Sequence, residues 1–437
     1  MEAFLEIDPA SDFSIDNLPY GCYSTRGGGG NGGAAAPPRR ALCVALGNSV
    51  VDLGALQRAG LFSGPVLSKH ADCFQTDALN GFMALGQPAW REARATLRRL
   101  LSASEAALRD DAALRAEAIV PMSDVTLHLP FSVGDYTDFY ASRYHAHNCG
   151  VMFRDASVAL PRNWLHLPIG YHGRASSIVV SGTPVQRPRG QVLDAASDTP
   201  VMRPCAAVDF ELEVACVMGT GNELGSSIPA DGAAASIFGL ALMNDWSARD
   251  VQQWEMLPLG PFNSKNWATQ LSPWVVTLEA LEPFRCDAPV QEPGVLPYLR
   301  EADRHVYDIN LTASILPEGG PETLVAESNY KHIYWTFPQM AAHHTFGGCN
   351  LRTGDVLGSG TCSGPGPNQR ACLLERTWGG KDPVKLEGGA GQRTYLRDGD
   401  SVVIRGWAGG GGGGGGAGRR RVGFGECRGK LLPSPAL

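Results

Sequence analysis

Hydrophobic and acidic residues alternate along the stretch from Val208 to Met218. Apolar residues occupy every second position, and the intervening positions begin with three acids, Asp209, Glu211 and Glu213. A period of two predicts a β-strand with one face in the core and one acidic face. Carboxylates two positions apart on a strand lie about 6.6 to 7 Å from each other. Two interpretations stay open, a solvated outer face of an antiparallel strand or a face that binds a cation.

A helical period begins at Pro88, a residue type that suits a first helical position. Apolar residues then recur at spacings of three and four: Trp90, Ala93, Leu97, Leu100 and Leu101. A serine-containing break at 102–104 precedes a second, alanine-rich helix that ends near 118. Beyond about 120 the pattern changes to short strands between glycine and proline turns. The change predicts a mainly β (α+β) chain with a small N-terminal domain at 1–124 and a large C-terminal domain at 125–437.

Two glycine-rich runs interrupt this pattern, at 27–38 and at 408–418. Strand-like sequence resumes soon after the first run, at 41–46, so we expect a loop insertion and not a domain boundary. The second run separates two strand-like pieces, 401–404 and 421–424, which predicts a disordered hairpin loop. Neither run has the strand-to-helix context and Lys-Ser/Thr ending of a nucleotide-binding loop.

Composition narrows the classes of partner. The chain has 437 residues and a net charge of -7, so it offers no basic field for nucleic acid or an anionic membrane. We find no apolar run near the 18 or so residues of a membrane helix, and the start of the chain carries acids where a leader would carry basic residues. The eleven cysteines are scattered and odd in number, which favours reduced thiols over a disulfide framework or a structural zinc site. We therefore expect a cytoplasmic protein with a small-molecule partner.

Two segments before the acidic strand concentrate chemically active side chains. The first, 134–148, contains Asp138, Tyr140 and His145 in a loop-to-helix passage. Its acids are equally compatible with helix caps and its histidines with ordinary surface positions. The second, 163–182, places Tyr171 at a turn where side chains can converge on a pocket, although a plain hairpin turn fits as well.

Two further segments follow the acidic strand. In 243–255, Arg249 and Gln252 stand three apart on one face of a short helix, and Lys265 follows after a Pro-Gly-Pro loop. These three would suit negative charge that develops on oxygen, but a capped surface helix with polar pairs explains the spacing too. The small-residue loop 358–364 permits close backbone approach to a ligand. The adjacent pair His343-His344 points in different directions and is interpreted as structural.

Taken together, five segments resemble the fumarylacetoacetase family almost letter for letter: 134–140, 170–182, 210–213, 243–254 and 358–364. They occur in order at compatible spacings, and the resemblance runs from Asp12 to near the C-terminus with the two glycine runs as insertions. It implies an N-terminal SH3-like barrel, a C-terminal β-roll of the fumarylacetoacetase type, and a homodimer.

The resemblance also implies a metal site. The metal ligands of the family fall on four acids: Asp138, Glu211, Glu213 and Asp245. This favours the cation-binding interpretation of the acidic strand, and all-oxygen ligation suits Ca²⁺ and/or Mg²⁺. An additional magnesium assignment falls on Asp245, Lys265 and Thr269, where Lys265 would have to offer its backbone carbonyl because an ammonium group cannot ligate.

Catalytic and substrate-binding roles carry over in the same way. The base of the family falls on His145, with Glu375 as the partner that orients it, and the groups that stabilise oxyanionic charge fall on Arg249, Gln252 and Lys265. The implied substrate contacts are Tyr140, Arg154, Tyr171, Gln252 and Thr361. One contact departs from the family, because Met256 stands where the family has a tyrosine.

The implied activity is metal-dependent hydrolysis of a diketo acid, 4-fumarylacetoacetate, to fumarate and acetoacetate, the last step of tyrosine and phenylalanine degradation. Acylpyruvate hydrolases, isomerases and decarboxylases share the C-terminal fold and the acidic triad. The N-terminal domain and the His145 segment argue against them. A non-catalytic metal-binding protein would keep the carboxylates without needing Lys265 or the pair of His145 and Glu375.

Overall fold

The structure is a computed structural model that describes residues 1–26, 39–154, 156–410 and 420–436. The first glycine run, 27–38, and most of the second lie outside the described residues. In each case the flanking strands pair with each other, Tyr20–Thr25 with Ala41–Leu46 and Ser401–Ala408 with Val422–Leu432. No helix in the described ranges is long and apolar enough to cross a membrane.

The first half of the chain forms an antiparallel sheet with helices. Its strands are β1 (Tyr20–Thr25), β2 (Ala41–Leu46), β3 (Ser49–Asp52), β4 (Ile119–Pro121) and β5 (Val125–His128), in the order β4-β3-β2-β1-β5. Its helices are α1 (Leu53–Arg58), α2 (Asn80–Met83), α3 (Gln87–Leu100), α4 (Ala106–Arg109) and α5 (Ala112–Ala118). The predicted helix after Pro88 is confirmed as α3, whose Trp90, Ala93 and Leu97 are buried. The second predicted helix is two short ones, because the Asp111 side chain accepts a hydrogen bond from Leu114 N and starts α5 anew.

Strand β5 lies beyond the predicted boundary at 124, yet it belongs to the first sheet, where Cys22 of β1 faces His128. The period of so short a strand does not say which sheet it joins. The SH3-like form of this sheet stays a prediction.

The second half is strand-rich. Its strands are β6 (Tyr136–Phe139), β7 (Gly170–His172), β8 (Ile178–Val180), β9 (Val185–Gln186), β10 (Arg189–Asp194), β11 (Thr199–Pro204), β12 (Val208–Asp209), β13 (Leu212–Met218), β14 (Ile237–Asp245), β15 (Ser247–Ala248), β16 (Thr269–Leu271), β17 (Val276–Thr277), β18 (Arg285–Asp287), β19 (His305–Tyr307), β20 (Asn310–Leu316), β21 (Thr323–Asn329), β22 (Val356–Gly358), β23 (Val384–Lys385), β24 (Gln392–Arg393), β25 (Ser401–Ala408) and β26 (Val422–Leu432). Its helices are α6 (Arg143–Phe153), α7 (Arg249–Glu255), α8 (Leu278–Leu281), α9 (Phe337–Thr345) and α10 (Leu373–Arg376).

Two sheets organise this half. One runs β7-β6-β22-β13-β14-β16-β8, with β17 paired to β14, and the other runs β21-β20-β25-β26-β9. The first sheet curls into a half-barrel whose β14 and β16 contact β25 and β26 of the second. The fold is thus a mixed α/β arrangement with many strands.

The acidic strand lies at the centre of the first of these sheets. The predicted single strand is divided into β12 and β13, and Glu211 between them forms an isolated bridge with Cys372. Side chains on one face of β13, such as Val214, lie in the core between the two sheets. On the other face, Ala215 and Val217 lie in a core shared with the N-terminal half. The solvated interpretation of the acidic face is wrong, because Asp209, Glu211 and Glu213 are themselves buried.

Candidate active site

Four carboxylates meet at the end of the acidic strand. They belong to Asp138, Glu211, Glu213 and Asp245, and one oxygen from each lies within 4.8 Å of the others. Neighbouring strands position them, since Asp138 lies one residue before the end of β6 and opposite Gly358 of β22, and Asp245 ends β14 beside β13. All four are buried. Burying so much negative charge is unfavourable unless positive charge accompanies it.

Lys265 supplies part of that positive charge. Its Nζ donates to Glu211 Oε2 and to Asp245 Oδ2, at 2.6 Å in each case. Burial by itself lowers the pKa of Lys265, but the two carboxylates raise it above its ordinary value, so the ammonium form is retained. Arg249 adds a second cation, because its Nη1 donates to Glu211 Oε1 at 2.9 Å.

Glu213 and Asp138 lie outside the ion pairs that Lys265 and Arg249 make with Glu211 and Asp245. Neither carboxylate oxygen of Glu213 has a hydrogen-bond partner among the described residues, although its side chain is fully buried. Burial and the Asp138 carboxylate raise the pKa of Glu213 well above its usual range, and burial and Asp245 do the same for the pKa of Asp138. Two such groups either share a proton or bind a cation. A divalent ion with oxygen ligands fits this donor set.

Two residues that the sequence predicts to be part of the site contact Asp245. The Tyr171 hydroxyl donates to Asp245 Oδ2 at 2.8 Å, and Thr269 Oγ1 donates to Asp245 Oδ1 at 3.3 Å. Tyr171 is predicted from the sequence to bind substrate, and here it also holds an acid of the cluster in place. Thr269 lies on β16 directly opposite Asp245, and its part in the additional magnesium assignment stays a prediction.

His145 and Glu375 form a buried pair beside the cluster. The pair joins α6 to α10, with 2.6 Å between His145 Nδ1 and Glu375 Oε2. Asn148 Nδ2 donates to the other oxygen of Glu375 at 2.8 Å, and Ser363 Oγ donates to Oε2 at 2.7 Å. Burial by itself raises the pKa of Glu375, but His145 and these hydrogen bonds hold the pKa below its ordinary value. Glu375 is thus a fixed carboxylate that orients the imidazole.

Arg249 connects the cluster to this pair. Its Nε and Nη2 lie 2.9 and 2.8 Å from Asp209 Oδ2, and its Nη1 lies 3.2 Å from Gln252 Oε1. Asp209 accepts from the backbone N–H groups of Leu373 and Leu374, which begin the helix that carries Glu375. The structure thereby brings together all of the predicted catalytic residues.

The remaining predicted substrate contacts differ in their position relative to the site and in their exposure to solvent. The Tyr140 ring lies 5.3 Å from the His145 ring, and the buried Thr361 hydroxyl has no partner among the described residues. Arg154 is exposed and donates to the Ala159 carbonyl. Met256 is 48% exposed just after α7.

Sequence reasoning did not assign roles to Asn148 and Ser363. Asn148 stands three positions after His145 on the same face of α6, a spacing that could have indicated its role. No local pattern relates Ser363 to Glu375, because the two meet only when the 358–364 loop folds against α10.

The chain is similar to known proteins over nearly its whole length. Two family models match the chain. The fumarylacetoacetate (FAA) hydrolase C-terminal model matches residues 136–431, and the fumarylacetoacetase N-terminal model matches residues 16–130. The chain is 50% identical to the fumarylacetoacetase of Arabidopsis thaliana, over 100% of this chain and 99% of that protein, and 50% identical to that of Homo sapiens, over 99% of each. A solved fumarylacetoacetate hydrolase from Exiguobacterium antarcticum superposes with a TM-score of 0.50 at 15% identity, covering 95% of this chain and 99% of that one. That likeness concerns the fold alone.

Proposed function

The chain belongs to the fumarylacetoacetase family, and we propose that its carboxylate cluster and its pair of His145 and Glu375 together hydrolyse a carbon–carbon bond of 4-fumarylacetoacetate. The products are fumarate and acetoacetate, so the reaction completes tyrosine and phenylalanine degradation. The enzyme is a hydrolase that acts on carbon–carbon bonds in ketonic substances. The observation that carries the proposal is the fixed pair of His145 and Glu375 beside a buried acidic cluster that its own cations do not neutralise.

The proposed cofactor is Ca²⁺ and/or Mg²⁺, held by Asp138, Glu211, Glu213 and Asp245. The unpartnered oxygens of Glu213 support this site. A bound divalent cation polarises a carbonyl oxygen and stabilises negative charge on it. The additional magnesium assignment draws oxygens from Asp245 and Thr269. Lys265 can join it only through its carbonyl, since its Nζ is an ion-pair donor to Asp245.

In this proposal His145 is the general base. Its Nδ1 faces Glu375, so that the ring proton lies on Nδ1 and Nε2 is the atom that takes a proton from water. The water oxygen then attacks the carbonyl carbon on the fumaryl side of the diketone. The protonated imidazole later returns its proton to the departing acetoacetate carbon, which balances the reaction.

Arg249, Lys265 and Gln252 stabilise the oxyanion in the proposed mechanism. Donors that are fixed before reaction lower the barrier most, because they need no reorganisation when charge develops. Arg249 and Lys265 are held by ion pairs to Glu211, which supports a fixed arrangement. Collapse of the tetrahedral adduct breaks the carbon–carbon bond and leaves fumarate.

The proposed substrate contacts are Tyr140, Arg154, Tyr171, Gln252 and Thr361, with Met256 as an apolar neighbour. The unpartnered, buried hydroxyl of Thr361 supports this set, since a substrate oxygen would satisfy it. Arg154 would have to turn from the Ala159 carbonyl towards a substrate carboxylate.

We also propose a homodimer in the cytoplasm. A run of exposed apolar residues after α7 supports the dimer: Met256 at 48%, Leu257 at 87%, Leu259 at 96% and Phe262 at 64% exposure. Several large apolar side chains exposed on one short segment commonly mark a protein interface. All eleven cysteines lie among the described residues and are free thiols, which supports a reducing compartment.

The test of the proposed function is turnover of fumarylacetoacetate by the purified chain, with and without a chelator. We expect hydrolysis that chelation abolishes and Ca²⁺ or Mg²⁺ restores. The Glu213→Gln variant should bind either ion at least roughly 10-fold more weakly in calorimetry, because it loses a charged ligand. Glu223→Gln is the matched control on an exposed acid. Unchanged ion affinity in Glu213→Gln would remove this residue from the metal site.

A further inference from the structure

Asp209 is a fully buried acid that the proposed mechanism does not use. Its two oxygens receive N–H groups from three directions. Arg249 Nε donates to Oδ2 at 2.9 Å, while Arg249 Nη2 lies 2.8 Å from it as an ion-pair contact only, and Leu374 N donates to the same oxygen at 2.9 Å. Leu373 N donates to Oδ1 at 2.7 Å and Phe210 N at 2.8 Å. With both oxygens occupied in this way, Asp209 has no lone pair directed at the cation site, although it shares the acidic pattern of Glu211 and Glu213.

The groups that Asp209 holds are parts of the catalytic machinery on two separate elements. Arg249, at the start of α7, also donates to Glu211 of the cluster. Leu373 and Leu374 begin α10, whose next residue, Glu375, orients His145. A helix of a single turn has little stability of its own, so the direction of Glu375 depends on what fixes the start of α10.

Resting on the function proposed above, we propose that Asp209 is a positioning residue that couples Arg249 to the Glu375–His145 pair. One carboxylate fixes the oxyanion-stabilising guanidinium and the helix that carries the partner of the base. Arg249 and the Glu375–His145 pair therefore keep a fixed separation. A reaction step that uses both groups at once requires this.

The coupling needs a carboxylate in particular. An asparagine of the same shape replaces one oxygen by an amide that donates. At the Oδ2 position this amide would face Arg249 Nε and Leu374 N, and at the Oδ1 position it would face Leu373 N and Phe210 N. In either orientation a backbone N–H group at the start of α10 loses its acceptor, so we expect Asp209→Asn to release Glu375 without removing it.

The experiment compares Asp209→Asn, Glu375→Gln and the double variant in the full chain, with Ca²⁺ present. The kcat is expressed per Ca²⁺ site counted by calorimetry, so that an unfolded fraction does not enter the value. We expect Asp209→Asn to lower kcat roughly 10²-fold with KM changed less than about threefold, since the loss concerns the chemical step. The double variant should be little slower than Glu375→Gln alone, because both changes act through one pair.

Asp250→Asn is the matched control. Asp250 lies next to Arg249 on α7 and accepts from Ala206 N and Cys205 Sγ, away from the cluster. Its kcat should stay within about twofold of the native value. Should Asp209→Asn not fold, Asp209→Ser is measured in the same way. A kcat within threefold of native in the folded variant, or losses that multiply in the double variant, would overturn the coupling.

Discussion

His145 illustrates how burial and charge oppose each other at a single residue. Burial lowers the pKa of its imidazole, whereas Cys149 and Glu375 raise it, and the resulting pKa lies well above the ordinary value. A base is active only when deprotonated, so activity falls as the pH drops through this raised pKa. In the proposed mechanism, Glu375 thus orients His145 and also shifts its working range towards higher pH.

Replacing Glu375 by Gln should move this pH dependence. Without the carboxylate the pKa of His145 falls, so the acid limb of the kcat/KM profile moves to lower pH. The plateau should also fall by roughly 10²-fold, because the imidazole loses its orienting partner. A pH titration of kcat/KM for both proteins checks the prediction. An acid limb that stays in place would assign it to another group.

Met256 occupies the position at which the family has a tyrosine. A tyrosine there would offer the substrate a phenolic hydrogen bond, whereas methionine offers apolar contact. A neutral hydrogen bond contributes about 0.5 to 1.5 kcal/mol, which corresponds to roughly a two- to twelve-fold change in affinity. We expect Met256→Tyr to lower KM within that range and to leave kcat nearly constant. Steady-state kinetics measures both, and a large gain in kcat would place residue 256 in the catalytic machinery.

The roles of single residues were predicted mainly from the resemblance of the sequence to the fumarylacetoacetase family. The period of two identified Glu211 and Glu213 as acids of one face, but it could not separate them from Asp209, which has the same spacing and a different role. Only the fold distinguishes them, because Arg249 and the start of α10 occupy the oxygens of Asp209. Pairings between distant residues, such as Ser363 with Glu375, carry no local pattern.

Among elements, the packing of β22 against β6 controls the shape of the cluster. Gly358 lies opposite Asp138 in this pair of parallel strands. A Cβ on Gly358 would lie 2.3 Å from Asp138 Oδ1 and 2.7 Å from the end of Met243. The absence of a side chain therefore gives the Asp138 carboxylate its position.

The variant Gly358→Ala tests this packing. The added methyl group must displace Asp138, so we expect affinity for Ca²⁺ to fall roughly 10-fold, as when a group that supports a ligand is lost. Calorimetry gives the affinity directly. Gly347→Ala is the control, since a Cβ at Gly347 meets nothing within 4 Å. Equal affinities in the two variants would contradict the packing argument.

Elements with a long, regular spacing of apolar residues were predicted well from the sequence. The α3 helix and the apolar face of β13 are confirmed because several turns or alternations repeat the same signal. Strands of two to four residues, such as β5 and β12, are fixed by partners far along the chain, so their sheet membership had no local signal.

The exposed apolar loop after α7 is the surface that the proposed dimer would bury. An aspartate at Leu259, which is 96% exposed, would place a charge in that interface at little cost to the isolated subunit. We expect Leu259→Asp to convert a dimer into a monomer in light scattering. Leu224→Asp, at a position 79% exposed, is the control that should leave the dimer intact. A Leu259→Asp protein that keeps the native mass would place the interface elsewhere.

The two halves share a core, and their joining has a consequence for synthesis on the ribosome. Tyr20 N donates to the Val275 carbonyl and Val275 N to the Tyr20 carbonyl, both at 2.9 Å, while Asn17 Nδ2 donates to the Gly423 carbonyl at 2.7 Å. The N-terminal segment therefore cannot complete its contacts until residues near the end of the chain have been translated. The emerging first half must keep apolar surface open for most of that time, the state in which chaperones bind nascent chains. A premature stop before Gly423 would release a chain whose beginning, as well as its end, is left unfinished.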